Sequence, residues 1–324
     1  MNNILKGLLT TALLTSSILT NASSDIFRQN AAYIKSDYAK TKYPVVLSHG
    51  LFGFSRLGAD TFGVDYWYQI PQDLARNGAN VFITRQSAAN SSEVRGEQLL
   101  AQTEEILAIT GQPKVNLLGH SHGSQSIRYV AGIIPNHIAS VTTIAGPAKG
   151  SPVADLVINS LTPLGLDKTV ANIISAATNI ITIGQLDDPK KFPMDSLSAA
   201  HSLSSIGTAK FNARFPAGVP NTHCGEGAYD VNGTKFFSFS GSKPITNLVD
   251  PVDYVLGLTS VFIKEKNDGL VSSCSSHMGK VIRDDYYWNH LDEVNQLLGL
   301  MSLFSQDPVS VYRQHLNRLK LAGV

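Results

Sequence analysis

The stretch KVNLLGHSHGSQSIRYVAGI constrains this chain more than any other. It opens on a short apolar run, as a strand buried on both faces does, and continues into SQSIRYVAGII with helical spacing. Gly119-His120-Ser121-His122-Gly123 lies at the junction. A strand that turns into a helix within so few residues forces the serine into a sparsely populated backbone conformation. Side chains two positions to either side would collide there, and glycine removes the collision. The pattern G-x-S-x-G alone is common, and an ordinary glycine-rich βα turn would also carry it. At the carboxyl edge of a parallel sheet it lifts a serine hydroxyl to a helix N-terminus.

The rest of the chain supplies that sheet. KYPVVLSHG, with Pro44 at its start, predicts a buried strand over Val45 to Ser48. ANVFITR, SVTTIAGP and GKVIRDD read as further strands. GVDYWYQIPQDLARNG reads as a helix closing on Gly78. SEVRGEQLLAQTEEILAITGQP reads as another, with Leu99, Thr103, Ile106 and Leu107 on one face and Gly111 and Pro113 beyond its end. Strands alternating with helices predict an α/β fold, a mostly parallel sheet with helices on both faces. A composition 43% hydrophobic and 16% charged can fill one large core, so residues 23–324 are expected to form a single domain. With 26 basic against 25 acidic residues, nothing points to nucleic acid.

Residues 1–22 read as a secretory signal peptide. Lys6 precedes GLLTTALLTSSILT, too short and too rich in Thr and Ser to span a bilayer, and small residues near Ala22 suit cleavage. The alternative is a buried N-terminal helix. Export changes the meaning of Cys224 and Cys274: free thiols in a cytosolic protein, they become a disulfide in an oxidising compartment.

A serine alcohol needs a base, and the oxyanion it creates needs donors. One donor comes with the turn, the N–H of His122. The other is expected from SHGLFGF, where the N–H of Leu51 is the candidate and His49 and Gly50 shape the loop; His49 could instead be a packed histidine with a satisfied ring. The acid and then the histidine should follow the serine in sequence. His290, between GKVIRDD and a helical stretch, suits the base, with His277 as runner-up. Asp268, on an Asn-Asp-Gly turn at a loop tip, suits the acid. Spacing alone leaves these choices open.

YPVVLSHGLFGF, GVDYWYQIP, EVRGEQLL, GQPKVNLLGHSHGSQSIRYV, CGEGAYDVNG, NDGLVSSCSSHMG, NHLDEVNQ and PVSVYRQHLNRLK, in this order, closely resemble the Pseudomonas-type secreted triacylglycerol lipases. The resemblance runs from about Tyr43 to the C-terminus and is weakest near 151–208. It implies an α/β-hydrolase fold and a Ser121–Asp268–His290 triad. It further implies Leu51 and His122 at the oxyanion hole, a Cys224–Cys274 disulfide and a dedicated periplasmic foldase. It also implies one structural calcium ion on Asp250 and Asp292, with the backbone carbonyls of Gln296 and Leu300; such oxygens suit Ca²⁺. By position alone these acids would be solvated loop groups. Two positions depart from the family: Leu51 stands where methionine is usual, and Ser124 where glycine is frequent.

Residues 151–208 are expected to cover the site. Ser151 to Leu186 carries only Asp155, Asp167 and Lys168 as formal charges, and VADLVINSL and TVANIISAATNIITIG would make helices with broad apolar faces. Such helices form either a permanent cap or a lid that opens at a lipid interface. The expected protein is a secreted, monomeric triacylglycerol lipase with no membrane span, working at an oil–water interface. Rival readings are an esterase or polyesterase on soluble or polymeric esters, and an inactive lipid-binding protein.

Overall fold

The structure, a computed structural model, describes residues 25–59, 62–160 and 190–324. The expected signal peptide and much of the expected lid lie outside the described residues. The described strands are β1 (Ile26–Gln29), β2 (Val45–Ser48), β3 (Arg56–Ala59), β4 (Phe62–Asp65), β5 (Val81–Thr84), β6 (Val115–His120), β7 (Ile138–Ile144), β8 (Asp230–Val231), β9 (Thr234–Gly241) and β10 (Lys280–Tyr286). The helices are α1 (Ile70–Arg76), α2 (Ser92–Thr110), α3 (Gly123–Ile133), α4 (Pro152–Ser160), α5 (Ser196–Leu203), α6 (Ser205–Arg214), α7 (Pro251–Ser260) and α8 (Pro308–Leu321).

One sheet runs in the order β1-β5-β2-β6-β7-β9-β10, with β8 beside β9. Its interior pairs are parallel, and β1 and β8 join antiparallel. Both faces are covered, so the strands are apolar at successive positions rather than at alternate ones. Val45 and Leu47 of β2 pack with Ile70, Leu74, Leu316 and Leu319 from α1 and α8. Val46, between them, packs with Leu99, Ile106, Ile127 and Val130 from α2 and α3. The architecture is the α/β arrangement that the alternating pattern predicts.

Two local expectations change. The reading of GVDYWYQIPQDLARNG as one helix is too long: its first residues pair in the β3–β4 hairpin and α1 begins at Ile70. Pro71 explains the start, because a residue without an N–H fits only the first turn; Gly78, at φ +92°, ends the segment as expected. His290 does not precede an α-helix. One 3₁₀ turn, Asp292–Val294, follows it, and positive φ at Asn295 and Leu298 prevents continuation. The antiparallel edge strands carried no signal in the sequence.

In and just after the region expected to cover the site, α5 and α6 are tied to the core. Gln125 of α3 donates to Thr208 Oγ1 (3.1 Å), Arg128 donates to Asn212 Oδ1 (2.7 Å), and Asn212 donates to the Ala148 carbonyl (2.7 Å). No helix among the described residues is long and apolar enough to cross a membrane.

Candidate active site

Ser121 sits between β6 and α3 at φ +53°, a conformation that costs a non-glycine residue about 1–2 kcal/mol. The space around it is filled by backbone. A Cβ on Gly119 would lie 2.4 Å from the Gly123 carbonyl oxygen, and one on Gly123 would lie 2.3 Å from the Ser48 carbonyl oxygen. Both glycines are therefore dictated by close approach. Ser121 N–H donates to the Ile144 carbonyl (2.8 Å), pinning the turn to β7. Ser124 finds a use for its hydroxyl, which donates to the Gly119 carbonyl (2.7 Å). Its side chain occupies the space a Cβ on Gly146 would need.

The loop after β2 lies against the serine: a Cβ on Gly50 would stand 2.8 Å from Ser121 Cβ. Among the described residues, neither the Leu51 N–H nor the His122 N–H has an acceptor within the protein. The neighbouring amides are spent: Gly50 N–H on the Tyr66 hydroxyl (3.0 Å) and Phe52 N–H on the Ala88 carbonyl (2.6 Å). Two unspent donors beside a raised hydroxyl suit a developing oxyanion. His49 is the packed histidine of the two readings. Its Nδ1 donates to the Gly50 carbonyl (2.9 Å) and its Nε2 accepts from Gln86 N–H (3.1 Å). Burial, with the Arg95 charge second, lowers its pKa to about 3.

Asp268 and His290 meet behind the ends of β9 and β10. His290 Nδ1 donates to Asp268 Oδ2 (2.7 Å), and its N–H donates to the Asp268 carbonyl (2.9 Å). Asp268 Oδ1 accepts from the N–H groups of Leu270 (2.8 Å) and Val271 (2.7 Å). Asp268 is thus fully buried rather than at an exposed loop tip. This pairing fixes the tautomer that leaves Nε2 of His290 free to accept a proton. The His290 ring packs against that of His120, the residue before the serine, with centroids 4.7 Å apart. Among the described residues no hydrogen bond joins the Ser121 hydroxyl to His290; such bonds often tighten only when substrate is bound. His277, the alternative base, has both ring nitrogens engaged, with the Gly225 carbonyl (3.1 Å) and Asp284 (3.0 Å). Cys224 and Cys274 form a disulfide nearby in sequence.

Asp250 and Asp292 are buried together with Asp253. Burial, then the charges of Asp253 and Asp250, raises the Asp292 pKa to about 7. Asp253 is satisfied by Asn289, Thr246 and Asn247, and one Asp250 oxygen caps α7 at Val252 N–H (2.8 Å). Asp292 Oδ1 is buried with no partner. The orphaned oxygen of Asp292 and the carboxylate of Asp250 suit a hard cation, whose charge would offset the repulsion among the three acids. Gln296 and Leu300 follow on the same loop. Two compact ligand groups also occur among the described residues, His120–His290–Glu293 and His223–Cys224–Glu265–Cys274. The first belongs to the support of His290.

That support was not anticipated. Arg95 of α2 is fully buried and donates to the carbonyls of His49 (2.6 Å) and Gly50 (3.3 Å), and to that of Ser87, clamping the Leu51 loop. Its position offered a signal: it shares a helical face with Leu99 and Thr103, which are also buried. The Tyr66 hydroxyl donates to His120 Nδ1 (2.6 Å), and His120 Nε2 faces Glu293 Oε2 at 3.3 Å. Burial, with His290 second, keeps His120 neutral; burial, with Asp268 second, pushes Glu293 well above the carboxylate range. Both shifts favour the uncharged forms behind the base. Ser92 accepts from His122 Nε2 (3.0 Å) and fixes the ring of the residue whose N–H faces the site.

Comparison with known proteins bears on the fold and the family. A family model described as the alpha/beta hydrolase fold matches residues 43–294. A triacylglycerol lipase of Vibrio cholerae is 49% identical over the whole of both chains. One of Burkholderia plantarii is 40% identical over 91% of this chain and 90% of its own. The crystal structure of Bacillus licheniformis lipase BlEst2 in its mature form superposes with a TM-score of 0.62, covering 91% of this chain and 98% of that one at 19% identity. The chain therefore belongs to the α/β-hydrolase fold family, in the branch of Pseudomonas-type bacterial lipases that its motifs resemble.

Proposed function

We propose that the protein hydrolyses triacylglycerols through a covalent acyl-enzyme on Ser121. The observation that carries this reading is the serine at φ +53° on a strand-to-helix turn, with two unspent N–H groups at hand and a buried Asp268–His290 pair packed beside it. His290 takes the hydroxyl proton as Ser121 attacks the ester carbonyl, and Asp268 holds the ring and stabilises its cation. The N–H groups of Leu51 and His122 bind the oxyanion; losing one such donor costs about 3–4 kcal/mol of transition-state stabilisation. His290 returns the proton to the leaving alcohol, then activates the water that frees the fatty acid. The test compares emulsified long-chain triacylglycerol with dissolved short-chain esters, using Ser121→Ala as the control. Activity should rise sharply once substrate exceeds its solubility. A flat response across that limit would favour an esterase.

Four further readings accompany it. Residues 1–22 direct export, consistent with a disulfide between Cys224 and Cys274. One calcium ion lies on Asp250, Asp292 and the carbonyls of Gln296 and Leu300, a role supported by the orphaned oxygen of Asp292. It would supply charge compensation that tethers the loop bearing His290, which lies two residues before Asp292. A lid lies within 151–208; of the described part of that region, α5 and α6 are anchored to the core by hydrogen bonds. The apolar surface of such a lid gives a newly exported, monomeric chain reason to need a foldase.

A further inference from the structure

Triacylglycerol does not dissolve in water, so a lipase meets its substrate at the surface of a lipid phase, and part of its own surface must lie against that phase. Exposed apolar side chains concentrate in two segments. The first is α7 with the loop before it, where Leu248, Val249, Tyr254, Leu258 and Val261 are exposed. The second is the loop 297–304, where Leu303 is 99% and Phe304 90% exposed. The Asn247 side chain donates to the Met301 carbonyl (3.2 Å) and joins the two. α7 also borders the reaction centre. Thr259 donates to the Gly269 carbonyl (2.6 Å), beside Asp268, and Asn289, beside His290, donates to Asp253 (2.6 Å).

Charge decides what would cover this surface. Between Pro244 and Ile263 the only charged residues are Asp250 and Asp253, both buried. Between Val294 and Gln306 there are none. A surface without exposed charge suits an uncharged lipid and offers nothing to the anionic head groups that basic segments bind. Side chains as bare as Leu303 and Phe304 stand clear of the protein. A fluid apolar phase closes around such tips, whereas a protein partner would have to bring a pocket for each.

We infer that α7, the loop before it and the loop 297–304 form the surface on which the protein rests against neutral lipid, separate from any contact that a lid makes. The inference builds on the lipase reading and adds to it the face that meets the substrate phase. Immersion there sets the loops of Asp268 and His290 at the edge of the lipid.

The test measures partition of the full-length Ser121→Ala chain onto triolein droplets, so that no hydrolysis alters their surface. In that background Leu303→Gln/Phe304→Gln and Leu258→Gln/Val261→Gln should each weaken partition about tenfold, and all four changes together about 100-fold, because apolar burial is forfeited. Tyr33→Gln/Ile34→Gln changes two exposed apolar residues elsewhere and should partition as its parent does. Salt at about 1 M should not weaken binding. Every changed side chain is exposed, and melting temperatures close to that of the parent would show the fold intact. With Ser121 restored, hydrolysis of emulsified triolein relative to a dissolved butyrate ester should fall by the same factors. Unchanged partition in either double variant, an equal loss in Tyr33→Gln/Ile34→Gln, or binding abolished by salt would overturn the inference, while triolein hydrolysis by the wild type would leave the lipase reading standing. A dimer in sedimentation that Leu303→Gln/Phe304→Gln dissolves would assign the surface to a second copy instead. No triolein hydrolysis by the wild type would remove both.

Discussion

The elbow carrying Ser121 is held by backbone approach and by missing side chains, whereas the loops carrying Asp268 and His290 are held by polar side chains. Around Ser121 the constraints are carbonyl oxygens 2.3–2.4 Å from where a glycine Cβ would be, on the central strand β6. Around His290 they are a buried carboxylate pairing, the buried His120 and Glu293, and a cluster of three aspartates. The first kind of constraint is steric and indifferent to solution conditions. The second depends on charge, so an ion can strengthen or weaken it. One reaction centre thus combines a fixed half with an adjustable half.

The largest expected effect tests the fixed half. Ser121→Ala removes the nucleophile and leaves both glycines in place, so ester hydrolysis should fall by about 10⁶-fold. Melting temperature should stay close to that of wild type, and labelling by a fluorophosphonate should vanish. Residual labelling elsewhere on the chain would move the nucleophile. Asp268→Asn tests the other half and should cost about 10⁴-fold, because the amide favours the wrong imidazole tautomer. Ser121 should still be labelled to completion, only slowly. Near-normal activity in this variant would assign the orienting acid to another residue.

Chelation should act on the adjustable half alone. In wild type, removing calcium should lower melting temperature by on the order of 5 °C and reduce activity with it, as expected when an ion at about 100 times its dissociation constant is withdrawn. Asp292→Asn should be less stable than wild type in calcium. In chelator it should be at least as stable, because it relieves repulsion with Asp250 and Asp253. A variant that still responds to chelator as wild type does would place the ion elsewhere.

The same contrast explains what the sequence revealed. The elbow was legible because its constraints are local: the glycines, the serine and the flanking apolar runs are contiguous, and β2, β5, β6 and β7 lie where their apolar runs predict. Asp268 and His290 were separable from rivals such as His277 only through family resemblance, because their pairing depends on how two distant loops fold. Tyr66, Arg95, His120 and Glu293 received no role, since a tyrosine or arginine in sequence does not disclose which carbonyl or ring it will meet. The α1 boundary failed for a related reason: Phe62–Asp65 became strand by pairing with Arg56–Ala59, a tertiary choice that helical spacing does not carry.

Tyr66 links the two halves and gives the smallest effect, but also the most discriminating one. Its hydroxyl accepts from Gly50 N–H, beside the Leu51 donor, and donates to His120, whose ring packs on His290. Tyr66→Phe keeps the ring and strands a buried N–H and a buried imidazole nitrogen, a cost of about 1–3 kcal/mol in stability. We expect activity to fall about tenfold, mainly in kcat, because both groups act on the reacting centre rather than on the acyl chain. The informative measurement is the chelator response of this variant. If Tyr66 steadies His290 through His120, it and the ion restrain the same ring, and chelation should reduce activity by a larger factor in Tyr66→Phe than in wild type. Equal factors would mean independent effects, leaving Tyr66 to act on the oxyanion loop alone and the two halves mechanically separate.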